Sequence, residues 1–166
     1  CSSGNFPFPK TMKFVTYTAS VDPDVKFPNQ EFVDLLEIYL SDPNGWEGHG
    51  YRFKRVDRNP AVVIRLSTPA SLRTYGCDDY LSCAELGGRR MWLNSLRWLH
   101  GARASQQNLD NYRQYMVSHE MGHILGHEHE KCPGRGQLAP IMLQQTLGPK
   151  GCKPNTSITK TDLNRV

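Results

Sequence analysis

His119-Glu120-Met121-Gly122-His123-Ile124-Leu125-Gly126-His127-Glu128-His129 fits the spacing H-E-x-x-H-x-x-G-x-x-H at every fixed position. At this chain's His, Glu and Gly frequencies, a chance match is on the order of one in several times 10⁴. His119 and His123 are four apart, so a helix sets them on one face, about 6 Å apart along its axis. Two imidazole nitrogens so placed reach one ion at about 2.0–2.1 Å, the distance zinc takes from histidine. Glu120 flanks that face. It reaches a water on the ion rather than the ion itself, which is the position of a general base.

The third ligand has two candidates. If the helix continued, His127 would lie about 12 Å beyond His119, too far for convergence on one ion. Gly126 adopts positive φ at little cost, ends the helix and turns the chain back. His129 is therefore the expected third ligand, and His127 is expected to face solvent or to support the site from outside the ligand set. A structural zinc site closes with a fourth Cys or His. Here Glu120 and an open position imply catalysis, the bland alternative being a His-rich surface turn that takes metal adventitiously.

The complete motif resembles the long consensus of the metzincin clan of zinc metallopeptidases. Ala139-Pro140-Ile141-Met142-Leu143 resembles the Met-turn of that clan, with Met142 thirteen residues after His129. The resemblance implies that Met142 packs beneath the three histidines without ligating. It also implies an α+β fold: a metzincin-like zincin catalytic domain with a twisted mixed sheet of about four to five strands, a backing helix, an active-site helix and a short C-terminal helix. The stretch from Cys83 to Asn155, with Cys132-Pro133-Gly134, Pro140 to Gly148 and Gly151-Cys152-Lys153-Pro154-Asn155, is similar to a family of secreted bacterial metzincin-like domains. That likeness implies fold and compartment but no substrate. Astacin-like and serralysin-like members carry a tyrosine two residues after the methionine. Gln144 stands there in this chain, leaving Gln144 or Gln145 as substitutes.

The 166 residues suit one domain, with 1–10 as an N-terminal tail or tether and 11–166 as the catalytic domain. The net charge of +4 is spread out, with no basic run to suggest a nucleic-acid partner. No apolar stretch approaches the roughly 18 residues of a membrane helix. A monomer acting on a protein or peptide substrate is expected. Cys77 and Cys83 are spaced to close a small loop, and Cys132 and Cys152 bracket the Met-turn segment. Two disulfides fit a secreted or extracytoplasmic protein; buried free thiols in a cytosolic one are the alternative. A cysteine zinc site lacks its C-x-x-C pair. Cys1 reads as a lipid-anchored cysteine followed by Ser2-Ser3-Gly4, as a chain boundary or free thiol, or as a latch on the metal.

Met12 to Ser20 reads as a strand, and Asn29 to Leu40 as a helix stopped by Ser41-Asp42-Pro43-Asn44-Gly45. Tyr51 to Val56, Ala61 to Ser67 and Arg89 to Asn94 read as strands. The active-site helix is expected over about 109–126, the Met-turn over about 139–143, and a last helix over Thr159 to Val166. Trp46, Trp92 and Trp98 read as packing residues, His49 and His100 as exposed turn residues, and Asp78 and Asp79 as a solvated loop. Asn155-Thr156-Ser157 is a formal glycosylation sequon of the kind that recurs by chance.

The expected activity is zinc-dependent endopeptidase hydrolysis, with Zn²⁺ on His119, His123 and His129 and Glu120 as general base. The resemblance implies an extended substrate on an edge strand within Arg73 to Ala84 and a pocket wall from Leu143 to Leu147. A zinc-containing binding module with decayed activity, or a hydrolase of a cell-wall or N-acyl amide, would present the same motif.

Overall fold

The structure, a computed structural model, describes residues 12–163. The expectations for Cys1, for the N-terminal tether and for residues 164–166 of the last helix lie outside these residues. β1 (Lys13–Val21), β2 (Tyr51–Arg55), β3 (Val62–Ser67), β4 (Cys83–Ala84) and β5 (Arg90–Asn94) form one sheet in the order β2-β1-β3-β5-β4. The first four strands in that order are parallel, and β4 alone runs antiparallel, against β5. This is the mixed five-stranded α+β sheet expected of the fold.

Alternation decides which face is covered. Val15 and Tyr17 of β1, Val62, Ile64 and Leu66 of β3, and Met91 and Leu93 of β5 point into the core. Central β3 and its neighbours are buried on this face by α1 (Asn29–Leu40) and by the long helix Leu109–Ile124. α1 turns Phe32, Leu36, Tyr39 and Leu40 inward, at the spacing of one helical face. The three tryptophans are buried. Trp98 receives the ring edges of Phe27, Phe32 and Tyr39, while the Arg113 guanidinium lies 4.6 Å over its ring.

Two short helices were not expected. α2 (Pro69–Thr74) begins with Thr68 accepting from the Ser71 amide, and Pro69 occupies its first turn. α3 (Ser95–His100) is capped by Asn94, whose Oδ1 accepts from the Leu96 amide at 2.9 Å. The other face of the Asn94 side chain donates to the carbonyls of Asp79 and Leu81, and its backbone amide donates to Ser82 Oγ. One buried asparagine thus fastens the loop that leads into β4. Neither helix has an apolar stripe long enough to register as a period.

The Leu109–Ile124 helix is α4, two residues short of the expected end because Leu125 already serves as its cap and Gly126 turns the chain. Asn108 Oδ1 accepts from the Asn111 amide at its start. From Tyr112 onward the helix is buried on nearly every side, wedged between the sheet and the C-terminal third of the chain. Most of the last helix is short: α5 covers Lys160–Leu163. Among the described residues, no helix is long and apolar enough to cross a membrane.

Candidate metal centre

The C-terminal end of α4 explains the choice of ligand. Gly126 has φ of 101°, its amide donates to His123 O, and the His127 amide donates back to Gly122 O at 2.9 Å. This pair of reversed hydrogen bonds is a Schellman ending with glycine in the left-handed position. The turn sends the chain back along the helix and brings His129, not His127, to His119 and His123. The ligand-capable atoms of these three histidines all lie within 4.8 Å of one another, a group able to hold a metal ion. His127, expected at the solvent or in support, is half-buried and stacks on Trp46, with centroids 4.6 Å apart.

The hydrogen bonds point the correct nitrogens inward. His119 Nδ1 lies 2.7 Å from Ile141 O, and His123 Nδ1 lies 2.8 Å from His127 O. A carbonyl only accepts, so both Nδ1 atoms carry the proton and both Nε2 atoms keep a free lone pair. His123 Nε2 and His129 Nε2 are 3.1 Å apart. Two nitrogens bound tetrahedrally at about 2.0–2.1 Å would be about 3.3 Å apart, so this pair is already at ligand spacing. Three imidazoles with no fourth protein ligand among the described residues form the donor set that zinc takes in open, catalytic sites.

Burial sets the charges of the site. It holds His119 neutral, lowering its pKa to about 3, and also lowers His123, His127 and His129. Burial pushes the Glu120 carboxyl up to about 8. Both His119 and Glu120 are almost wholly buried, while His129 is exposed.

Met142 is fully buried against the same helix. A Cβ on Gly122 would collide with Met142 Sδ and stand 2.9 Å from the Trp46 ring. Gly122 fills an unspecified place in the motif, yet it is the gap into which the Met142 side chain fits. Trp46 closes the same gap from the other side, donating from Nε1 to Ser118 O at 2.8 Å. Asp162 was not singled out from the sequence either. Its fully buried carboxylate accepts from the amides of Ile141, Met142 and Thr159 and from the Thr159 hydroxyl. The only signal available was an acidic residue in an otherwise unremarkable terminal helix.

The segment after Met142 is held by α4. Tyr115 accepts at its hydroxyl from the Gln145 amide and donates to Leu143 O. The Tyr112 hydroxyl is 2.8 Å from Thr146 Oγ1. Gln145 is fully buried, with its amide spent on Pro140 O, Asn155 N and O, and Gln107. Of the two glutamines, Gln144 lines the cleft. The Asn155 side chain donates to Ala139 O and Ser157 O, so the sequon amide is used inside the fold. Disulfides join Cys77 to Cys83 and Cys132 to Cys152, as paired in the sequence reading. The first ties down β4, and the second closes the loop carrying the Met-turn.

The cleft of about 230 Å³ is lined by His119, Glu120, His123 and His129 on one side and by Cys83 and Ala84 of β4 on another. Tyr115, Met116, Gln144 and Thr146 form a further wall. The expected edge strand within Arg73 to Ala84 is thus the two-residue β4, tied to the helix by the Gly87 amide donating to His123 O.

A family model described as "Protein of unknown function (DUF3152)" matches residues 7–164. The chain belongs to this DUF3152 family. No curated protein matches its sequence. Among solved structures, the DUF3152 chain is similar to archaemetzincin from Archaeoglobus fulgidus complexed with malonate. The TM-score is 0.52 at 16% identity, over 93% of this chain and 100% of that one. It is also similar to archaemetzincin from Methanopyrus kandleri, with TM-score 0.48 and 18% identity over 90% and 91% of the two chains. Myroilysin matches with TM-score 0.48 and 14% identity over 78% of this chain. The chain spans about half, 47%, of the myroilysin chain. The Archaeoglobus structure establishes a shared fold.

Proposed function

We propose that this DUF3152 chain is a zinc-dependent endopeptidase, with His119, His123 and His129 holding the ion and Glu120 as the general base. The observation that carries this reading is the convergence of three imidazoles, two of them oriented by backbone carbonyls, beside a buried carboxylate, at the mouth of a cleft edged by an antiparallel strand. Zinc held there supplies Lewis acidity, lowering the pKa of a coordinated water to about 7 and polarising an acyl oxygen.

The chain's own residues supply the remainder. β4 offers unpaired backbone groups to an extended peptide, which adds itself to the sheet edge and lies across the histidines. Glu120, buried and without a competing cation, takes the proton of the attacking water at its carboxylate and passes it to the departing amine. A cation held by the neighbouring histidines would favour the ionised form of Glu120, the form a general base needs. Met116, Tyr115 and the buried Met142 exclude solvent from behind the reacting groups. The two disulfides are compatible with an extracytoplasmic setting, which this reading adopts.

Profiling of cleavage sites in a broad peptide library, with and without a zinc chelator, tests the assignment. Chelator-sensitive cleavage at internal bonds is expected. Full zinc loading with no cleavage of any peptide would replace it with a binding module or with a hydrolase of another amide.

A further inference from the structure

Outside the three-histidine group, the charged side chains that line the cleft are all acidic, although the protein as a whole is not. The chain carries 20 Lys and Arg against 16 Asp and Glu. Two hollows share His123, His129 and Ala84: the cleft already described, and a more open one of about 390 Å³ that includes Leu86 and Glu128. Neither has a lysine or arginine in its lining. Besides Glu120, the charged residue of the first is Asp78 and that of the second is Glu128.

Among the described residues, neither Asp78 nor Glu128 is paired with a lysine or arginine. Asp78 Oδ1 accepts from the Tyr80 amide at 2.7 Å, leaving Oδ2 available. The nearby Arg73 is engaged at 2.7 Å with Asp79 instead. Glu128 forms no salt bridge among the described residues. The same cleft is lined by the apolar side chains of Leu81 and Met116 and by the polar groups of Gln144 and Thr146. A lining that combines apolar side chains with exposed carboxylates suits a side chain with a methylene stem and a charged tip, the build of lysine and arginine.

From this arrangement we infer that the cleft selects cationic peptides, with a basic side chain in each hollow flanking the reacting bond; the inference rests on the peptidase reading. Asp78 and Glu128 act as specificity residues. Their attraction also concentrates basic peptides at the cleft mouth, an effect that salt weakens.

The test uses zinc-loaded Glu120→Gln protein and three end-capped fluorescent peptides. They are identical except for Arg, Gln or Glu on both sides of a central Ala-Leu. At low salt the Arg peptide is expected to bind about five- to tenfold more tightly than the Gln peptide, as partly exposed ion pairs allow. The Glu peptide is expected to bind most weakly. Adding Asp78→Asn and Glu128→Gln should flatten this ranking. Equal binding, a preference for Glu, no binding by any peptide, or a ranking unchanged by the two substitutions would overturn the inference. Turnover by zinc-loaded wild-type protein separates the two readings. Cleavage of all three peptides at equal rates removes only the charge selection, whereas ranked binding without any cleavage removes only the peptidase.

Discussion

Asp162 and His119 communicate through a single residue of the Met-turn. The Asp162 carboxylate accepts from the amides of Ile141 and Met142, at 2.9 and 2.8 Å, and Ile141 O in turn accepts from His119 Nδ1 at 2.7 Å. A buried negative charge therefore fixes the carbonyl that fixes the tautomer and ring plane of a metal ligand. Removing such an outer partner elsewhere costs about 10–100-fold in metal affinity. Asp162→Ala is expected to weaken zinc binding within that range in a chelator competition. Because four donors lose their acceptor, it should also cost several kcal/mol of stability, at about 1–3 kcal/mol for each buried unsatisfied group. Unchanged zinc affinity in a folded variant would show that the Met-turn holds its shape without this carboxylate.

Gly122 and Met142 form a size-matched pair. Gly122→Ala places a methyl group against Met142 Sδ and the Trp46 ring, and a loss of about 1–3 kcal/mol is expected from overpacking. Trimming the methionine as well, in Gly122→Ala with Met142→Ala, should cost less than the sum of the single changes. Chemical denaturation of the four proteins measures the coupling. Strict additivity would mean that the two side chains do not compete for the same space.

The turn at Gly126 predicts unequal histidines. His129→Ala is expected to abolish stoichiometric zinc binding, and His127→Ala to retain it while losing some stability with the Trp46 stack. Zinc content after dialysis decides. A zinc-free His127→Ala protein beside a zinc-loaded His129→Ala protein would reverse the ligand assignment.

Chelated protein should be most stable near neutral pH, between about 6.5 and 7.5. Native Glu120, raised by burial to about 8, keeps a proton that the unfolded carboxyl releases above about 4.3. Its contribution therefore falls as pH rises through that window. The four lowered histidines act in the opposite sense: the unfolded rings bind protons below about 6.5, while native His119 stays neutral down to about 3. About one pH unit above 6.5 the unfolded rings have lost their protons, only the Glu120 slope remains from this set, and Glu120→Gln should remove it. Urea titrations between pH 5.5 and 8.5 check both limbs, and an alkaline slope that survives Glu120→Gln would rule out this origin.

The motif made the three-histidine group legible because zinc demands residue types at helical spacing, and because Gly126 is the one residue that turns the chain cheaply. The central strands were legible for the same reason: Val62, Ile64 and Leu66 alternate with a period that only a strand buries on one face. β4 was expected only as an edge within a longer stretch, since two residues carry no period and its place depends on Asn94 and the Cys77–Cys83 bond. Trp46 was legible as a packing residue but not as the neighbour of His127 and Gly122, and Asp162 escaped because a buried acid in a short helix looks like any solvated one until the backbone amides of Ile141 and Met142 are seen to point at it. Gln145 differs from Gln144 only by which neighbour faces the cleft, and that is a matter of packing.

The turnover of zinc-loaded Glu120→Gln protein relative to wild type, on one peptide that the wild type cleaves and at equal zinc content, tests the central claim most directly. One zinc per chain in both proteins and a fall of at least about 10²-fold are predicted for loss of the general base. Cleavage by Glu120→Gln at the wild-type rate would contradict the account.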